Sequence, residues 1–110
     1  MTFTTSQPGA DTTRFFVIGD TQLSGNAESD QDEIRLMNAI AANINGQSMN
    51  FGIQTGDAID DVTKFENWQS FFTVVNQEKL NGTALVHALG NHEYMGDSDG
   101  EVSGNIFDLP

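Results

Sequence analysis

Five polar residues that could bind a metal ion or move a proton lie in three short motifs of the sequence. The motifs are residues 19–22 (Gly-Asp-Thr-Gln), 56–60 (Gly-Asp-Ala-Ile-Asp) and 90–93 (Gly-Asn-His-Glu). The five residues are Asp20, Gln22, Asp57, Asn91 and His92. Carboxylate and amide oxygens bind hard divalent cations, and a histidine side chain transfers protons near neutral pH. These residue types therefore predict metal-dependent chemistry at the three motifs.

A strand is predicted at each of the segments that lead into these motifs. Residues 14–20, 50–57 and 83–89 are short and mainly apolar, and each contains or precedes a glycine followed by a polar residue. Segments of this kind are typical of buried strands that end in a functional turn.

Two helices are predicted between the strands. In the first, Asp30 and Glu33 form a capping box and Gly46 ends the helix. In the second, Thr63 and Glu66 repeat the capping-box pattern. The apolar residues that recur at helical spacing, and that we expect in the core, are Ile34, Met37, Ile40, Ala41 and Ile44 in the first helix and Phe65, Trp68, Phe71, Phe72 and Val75 in the second.

Alternation of strands and helices predicts an α/β fold with three parallel strands in βαβαβ connectivity. Residues after Gly90 are rich in Gly, Asp and Ser and are expected to form a loop, whereas residues 1–13 are expected to be a flexible polar tail and not a secretion signal. Ligands of open parallel sheets bind at the carboxyl ends of the strands. We therefore expect Asp20, Asp57 and Asn91 to converge at one edge of the sheet.

The charge of the chain bears on its substrates and partners. Sixteen acidic residues stand against four basic ones, which gives a formal net charge of -12. This charge favours solubility and predicts no nucleic-acid surface, because it repels phosphate backbones. Two neighbouring carboxylates also repel each other and any phosphate unless a cation lies between them. There is no cysteine for a thiolate metal site, and no apolar run approaches the ~20 residues of a membrane span.

In their order and spacing, the three motifs resemble the first three signatures of the calcineurin-like metallophosphoesterases. The resemblance covers residues 14–110, which would form the N-terminal half of such a domain, one half of a four-layer α/β sandwich. It implies a phosphatase or phosphodiesterase that acts on a small-molecule phosphoester with two divalent metal ions, drawn from Mn, Fe, Zn or Mg. Family members take three further histidine ligands from later loops, and this chain has only two histidines. A missing C-terminal half or a partner chain is therefore expected.

The family's roles can be carried over to individual positions. Asp20 would hold the first metal, Asp57 would bridge both metals, and Asn91 would bind the second metal through its side-chain oxygen. His92 would face the substrate and stabilise or protonate the leaving group. Glu93 is expected to fix its loop and not to bind metal.

Some positions depart from the family pattern. Gln22 stands where the family usually has a histidine; it either binds a hard cation or forms hydrogen bonds nearby, and it is a poorer zinc ligand than imidazole. Asp60 stands where purple acid phosphatases have a tyrosine, so a purple iron centre is not implied. Asp60 either supports the site or caps the next helix together with Asp61, and we favour the cap. His87 lies inside the third strand and is expected to be a structural histidine of the core or of the sheet edge.

A non-catalytic function is the alternative: an acidic half-domain that binds Mg²⁺ or Ca²⁺, or that only completes a partner. Residues 97–101 (Asp-Ser-Asp-Gly-Glu) have the wrong spacing for an EF-hand and are expected to form a solvated turn. Residues 107–110 (Phe-Asp-Leu-Pro) resemble the entry into a further strand. Without its other half, the chain is expected to expose apolar surface and to hydrolyse little or no phosphoester.

Overall fold

The computed structural model describes residues 9, 11–44, 49–76 and 83–107. Its strands are β1 (Phe15–Ile18), β2 (Phe51–Gln54) and β3 (Ala84–His87). Its helices are α1 (Gln31–Ile44), α2 (Phe65–Val75) and α3 (Glu101–Phe107). The three strands pair in parallel in the order β1-β2-β3, with α1 and α2 as the connections. The predicted α/β fold with parallel βαβαβ connectivity is therefore confirmed. Among the residues described, no helix is long and apolar enough to cross a membrane.

One face of the sheet packs against the two connecting helices. Strand alternation turns Ile18 of β1 toward the same core as Met37 and Ala41 of α1 and Trp68 and Phe71 of α2, and all five are buried. Gly52 lies at the centre of this face because the ring of Phe16 occupies the space next to it. The buried core therefore lies between this face and the helices.

The opposite face of the sheet is apolar and exposed, and we call it the open face. Its residues are Phe15, Val17, Phe51, Ile53, Ala84 and Val86. Phe15 is 52% exposed, Val17 54% and Val86 58%. The rings of Phe15 and Phe51 stack at a centroid distance of 5.2 Å. The expectation that the chain exposes apolar surface is confirmed, and β1 contributes to it as expected.

Helix α1 begins at Gln31, but the predicted capping box is wrong. The carboxylate of Asp30 accepts hydrogen bonds from the backbone N–H groups of Ser24 and Gly25 and from the hydroxyls of Ser24 and Ser70. This set of donors compensates for the burial of Asp30, which is 2% exposed. The carboxylate thus ties the preceding loop to α2. The predicted stop at Gly46 lies outside the described residues.

Helix α2 begins two residues later than its predicted cap. Lys64 occupies the N-cap position without a side-chain hydrogen bond, while the N–H and hydroxyl of Thr63 donate to Oδ1 of Asp61. The prediction that Thr63 caps the helix is therefore wrong. The buried residues of α2 are Asn67, Trp68, Phe71 and Val74. Phe65 and Phe72 belong to the predicted stripe but are 76% and 42% exposed, because the buried face is rotated toward Asn67 and Val74.

The segment after Gly90 is not only loop, as predicted. Residues 92–94 form one 3₁₀ turn, and α3 follows at Glu101–Phe107. Residues 97–101 form the turn that leads into α3, where Asp97 accepts a hydrogen bond from the N–H of Val102 at 2.8 Å. The predicted strand entry is wrong at Phe107, which is helical, and residues 108–110 lie outside the described residues.

Candidate functional site

The loops that carry the three motifs meet at the carboxyl edge of the sheet. The N–H of Asp20 donates to the carbonyl of Gly56 at 3.1 Å, and the N–H of Gln22 donates to the carbonyl of Asp57 at 2.9 Å. The N–H of His92 donates to Oδ1 of Asp57 at 2.9 Å. Asp57 is therefore hydrogen-bonded to both of the other motifs, and it lies on the same edge of the sheet as Asp20.

Three candidate residues have a strained backbone. Asp20, Gln22 and Asp57 have φ angles of 53°, 40° and 53°, and they are the non-glycine residues with positive φ in the described part of the chain. Aspartate tolerates this left-handed region better than most residues, whereas glutamine has no such preference. Such strain persists only where surrounding contacts enforce it, and it clusters at functional sites.

Hydrogen bonds beyond the ends of β1 and β2 enforce this conformation. After the strained residues, the segments that follow β1 and β2 pair again in parallel through a bridge between Leu23 and Ile59. The N–H of Leu23 donates to the carbonyl of Ala58, and the N–H of Asp60 donates to the carbonyl of Leu23. The hydroxyl of Thr21 also donates to the carbonyl of Ala58 at 2.8 Å. The first two loops are thus fixed to each other on both sides of Asp20 and Asp57.

Two motif glycines are required by the close approach of the second and third loops. Gly56 has a φ of +104°, and a Cβ atom there would lie 2.4 Å from the backbone nitrogen of Gly90. A Cβ atom on Gly90 would lie 2.2 Å from Oδ1 of Asp57. Both distances are well below van der Waals contact, so only glycine fits at these two positions.

Glu93 fixes the third loop to the second. Its side chain is fully buried. Oε2 accepts hydrogen bonds from the N–H groups of Asp57 at 2.8 Å and Gly90 at 2.7 Å, and Oε1 accepts one from Ala58 at 2.8 Å. The prediction that Glu93 fixes its loop is confirmed.

His92 is held by one nitrogen of its ring. Nδ1 lies 2.8 Å from the carbonyl oxygen of Asp60. Because a carbonyl oxygen can only accept, Nδ1 carries the proton of this bond and Nε2 is the nitrogen left for other partners. The side chain of His92 is 18% exposed, which leaves it accessible.

Asp60 supports His92 and does not cap α2, so the favoured interpretation of Asp60 is wrong. Besides the backbone hydrogen bond, Oδ1 of Asp60 lies 3.7 Å from Nδ1 of His92. Asp61 does not cap the helix either. The Thr63 hydroxyl and N–H donate to its carboxylate and lower the pKa of Asp61. Asp60 thus contacts the third motif, whereas Asp61 stabilises the loop between β2 and α2.

His87 is a core histidine, as predicted. It is 5% exposed, its ring packs edge-on against Phe71, and its Nε2 lies 4.0 Å from Oε1 of Glu93. Burial lowers the pKa of His87, and the neighbouring Glu93 carboxylate opposes that shift. His87 therefore belongs to the layer beneath the loops and not to the accessible site.

The candidate donor set consists of oxygen atoms. Asp20, Gln22 and Asn91 are exposed, while Asp57 is half-buried. These two carboxylates and two amides fit a hard cation such as Mg²⁺ or Mn²⁺. Within the ranges that the structure describes, no three His, Cys, Asp or Glu side chains are grouped so that they could hold a metal ion. That these four residues bind a metal ion stays a prediction.

Three comparisons with known proteins add no relative. No family model, curated protein or solved structure matches the chain. The parallel α/β fold is therefore established by the structure of the chain alone. Membership of the metallophosphoesterases stays a prediction from the motifs.

Proposed function

We propose that this chain is a metal-dependent phosphoester hydrolase of the calcineurin-like metallophosphoesterase type, a phosphatase or phosphodiesterase. One observation carries the proposal. Asp20, Gln22 and Asp57, which the motifs single out, are also the described non-glycine residues with positive φ. The motifs are defined by residue types and spacing, whereas the φ angles belong to the backbone. The two observations therefore support the same site independently.

The free-energy cost of a left-handed backbone at these three residues indicates that function, and not folding, requires this conformation. A non-glycine residue in the left-handed region costs about 1–3 kcal/mol, and natural domains are stable by only about 5–15 kcal/mol. Three such residues at one sheet edge thus use a sizeable part of the stability of a small domain. Turns that served only to connect β1 to α1 and β2 to α2 could place glycine or asparagine at these positions at lower cost.

The four oxygen-bearing residues define what could be bound. Asp20 and Asp57 bring two negative charges to one edge, and none of the four basic residues lies in the three motifs. Divalent ions held by Asp20, Gln22, Asp57 and Asn91 would neutralise these charges and polarise a phosphoryl oxygen. Asp57 has a fixed orientation for this purpose, because its Oδ1 already accepts the N–H of His92.

His92 is the proposed proton donor. The carbonyl of Asp60 holds Nδ1, so the ring presents Nε2 to a bound substrate. When the ring is protonated, Nε2–H can donate to the oxygen of the leaving group, and this transfer completes its departure as an alcohol. Asp60 is a positioning residue in this scheme, because it sets the orientation of the ring without touching the substrate.

The open face supports the proposal that the site is completed by further polypeptide. Parallel sheets are ordinarily covered on both faces. Phe15, Val17 and Val86 are each more than half exposed on this one. A segment that packed there, from a C-terminal half or a partner chain, could extend to the carboxyl edge of the sheet. It could thus supply the histidine ligands that the oxygen donor set lacks.

The test is hydrolysis of p-nitrophenyl phosphate and bis-p-nitrophenyl phosphate in the presence of Mn²⁺. We expect little or no turnover by the 110-residue chain alone, and turnover once a C-terminal half or a partner chain that completes the site is added. Asp57→Asn in the completed protein should abolish that turnover. Robust turnover by the chain alone would show that the ligand set is larger than proposed.

In the described part of the chain, no three His, Cys, Asp or Glu side chains are grouped so that they could hold a metal ion. This observation favours one alternative, a non-catalytic acidic half-domain that binds a cation or completes a partner. Metal binding by the completed protein without hydrolysis of either phosphoester would support that alternative over the enzyme.

A further inference from the structure

We propose that Glu93 is a positioning residue that couples the second and third motifs, so that Asp57 and Asn91 reach a cation together. The inference rests on the proposed function, because it assumes that these two residues bind metal. Glu93 is buried, and its loss would weaken metal binding without removing any ligand.

The carboxylate of Glu93 lies where the two loops cross. One oxygen accepts from Asp57 and Gly90, and the other accepts from Ala58, all at 2.7–2.8 Å. Short bonds of this kind from N–H groups to an ionised carboxylate are about twice as strong as neutral ones. Gly90 directly precedes Asn91, so one oxygen atom joins the backbones that carry two candidate ligands.

This carboxylate also acts on the strained conformation of Asp57. The N–H of Asp57 is held by Glu93, its carbonyl by the N–H of Gln22, and its Oδ1 by the N–H of His92. Three hydrogen bonds, one to the first motif and two to the third, thus fix the backbone and side chain of one residue whose φ is 53°. If the bond to Glu93 is lost, the peptide group before Asp57 can turn, and the carboxylate moves with it.

Glu93→Gln isolates this role. Glutamine has nearly the same shape, but one of its two terminal atoms is an NH₂ group that cannot accept a hydrogen bond. That group must face either Ala58 or the pair formed by Asp57 and Gly90, so at least one N–H loses its acceptor. A buried N–H without an acceptor favours movement of its loop.

The matched control is Asp30→Asn. Asp30 is also a buried carboxylate that ties loops through backbone N–H groups, here those of Ser24 and Gly25. The substitution removes the same charge and leaves donors unmatched in the same way, but none of the three motifs is involved. It therefore reproduces a general loss of stability without disturbing the second and third loops.

The experiment is a titration of the 110-residue chain with MnCl₂, followed by paramagnetic broadening of backbone amide signals. In the unsubstituted chain, the signals of Asp57 and His92 should broaden together. Glu93→Gln should need about 10–100-fold more Mn²⁺ for the same broadening, as expected for loss of a residue that orients ligands. Asp30→Asn should titrate within about twofold of the unsubstituted chain, because it leaves the motifs intact.

A second measurement keeps the inference testable if Glu93→Gln does not fold. Without metal, the amide protons of Asp57, Ala58 and Gly90 should exchange slowly with solvent in the unsubstituted chain. Exchange at the rate of unstructured amides would overturn the inference.

The outcomes separate this inference from the proposed function. Absence of broadening in the unsubstituted chain contradicts the metal site and the inference with it. Equal titration of the unsubstituted chain and Glu93→Gln contradicts only the inference. Equal weakening by Asp30→Asn also contradicts it, because a general loss of stability then explains the result.

Discussion

The backbone N–H of His92 donates a hydrogen bond to Oδ1 of Asp57 at 2.9 Å. This bond joins His92, the proposed proton donor, with Asp57, the residue that is proposed to bridge two metal ions. Its donor lies in the 3₁₀ turn at residues 92–94, so the chain itself orients the carboxylate of Asp57. The second and third motifs therefore form one unit around Asp57.

Asp57→Asn should weaken metal binding and preserve the fold. The asparagine oxygen can still accept the N–H of His92, and asparagine tolerates the left-handed backbone at this position. Only the negative charge is lost. We expect Mn²⁺ binding, measured by isothermal titration calorimetry, to weaken at least tenfold. The free energy of unfolding should change by no more than about 0.5 kcal/mol.

Asp57→Ala is the contrasting variant. It removes the acceptor for His92 as well as the charge, and alanine is strained at a φ of 53°. It should therefore lower the free energy of unfolding by about 1–3 kcal/mol. An asparagine variant that binds Mn²⁺ as well as the unsubstituted chain would contradict the role of the charge.

Gly90→Ala should destabilise the contact between the second and third motif loops. The new methyl group would lie 2.2 Å from Oδ1 and 2.6 Å from the backbone nitrogen of Asp57, so the loops must separate. We expect a loss of about 1–3 kcal/mol in urea unfolding. Gly104→Ala in α3 is the control, because no atom lies within 4 Å of its added methyl group. It should be neutral or stabilise the chain by up to about 1 kcal/mol, and equal losses for both variants would contradict the close approach.

The strands and their edge could be predicted from the sequence because their signals are local. Each short apolar segment leads to a glycine and a polar residue, and parallel pairing then brings Asp20, Asp57 and Asn91 to one edge whatever the details of packing. The role of Glu93 could be predicted only from its place in the motif. Its three backbone partners are separated from it by three to thirty-six residues, and no local pattern encodes such contacts.

The helix caps and α3 could not be predicted because tertiary contacts decide them. Asp30 has the sequence position of a cap, but Ser70, forty residues away, takes part in holding its carboxylate. Helix α3 contains Ser, Gly and Asn, which have low helix propensity. It is held instead by Ser103, which is fully buried and donates to the carbonyl of Glu93 at 3.4 Å. The left-handed backbone of Gln22 also has no signal in its residue type.

The open face should make the isolated chain self-associate. Val17 and Val86 lie at its two outer strands and are 54% and 58% exposed. The double substitution Val17→Thr and Val86→Thr keeps β-branched residues in the strands while adding hydroxyls to the surface. We expect it to weaken self-association at least tenfold by sedimentation equilibrium, with little change in stability. Leu36→Gln is the control, because Leu36 is 61% exposed on α1, outside this face. A clean monomer in the unsubstituted chain would contradict this prediction.

His87 should make the stability of the chain depend on pH. Burial lowers the pKa of His87, so the native state keeps it neutral, while the unfolded chain takes up a proton near the ordinary value of 6.5. The unfolded state therefore binds more protons as the pH falls below 6.5, and the free energy of unfolding decreases until the pH reaches the lowered pKa of the native state. One such group contributes at most about 1.4 kcal/mol per pH unit.

This contribution can be measured by urea unfolding at pH 7.5 and 5.5. The unsubstituted chain should lose more stability between the two values than His87→Gln, by about 1 kcal/mol, because glutamine does not titrate. Leu36→Gln introduces the same amide at an exposed position and should keep the loss seen in the unsubstituted chain. The comparison at two pH values cancels any constant effect of either substitution on packing. A loss of stability in His87→Gln equal to that of the unsubstituted chain would assign the pH dependence to the carboxylates and contradict the role of His87.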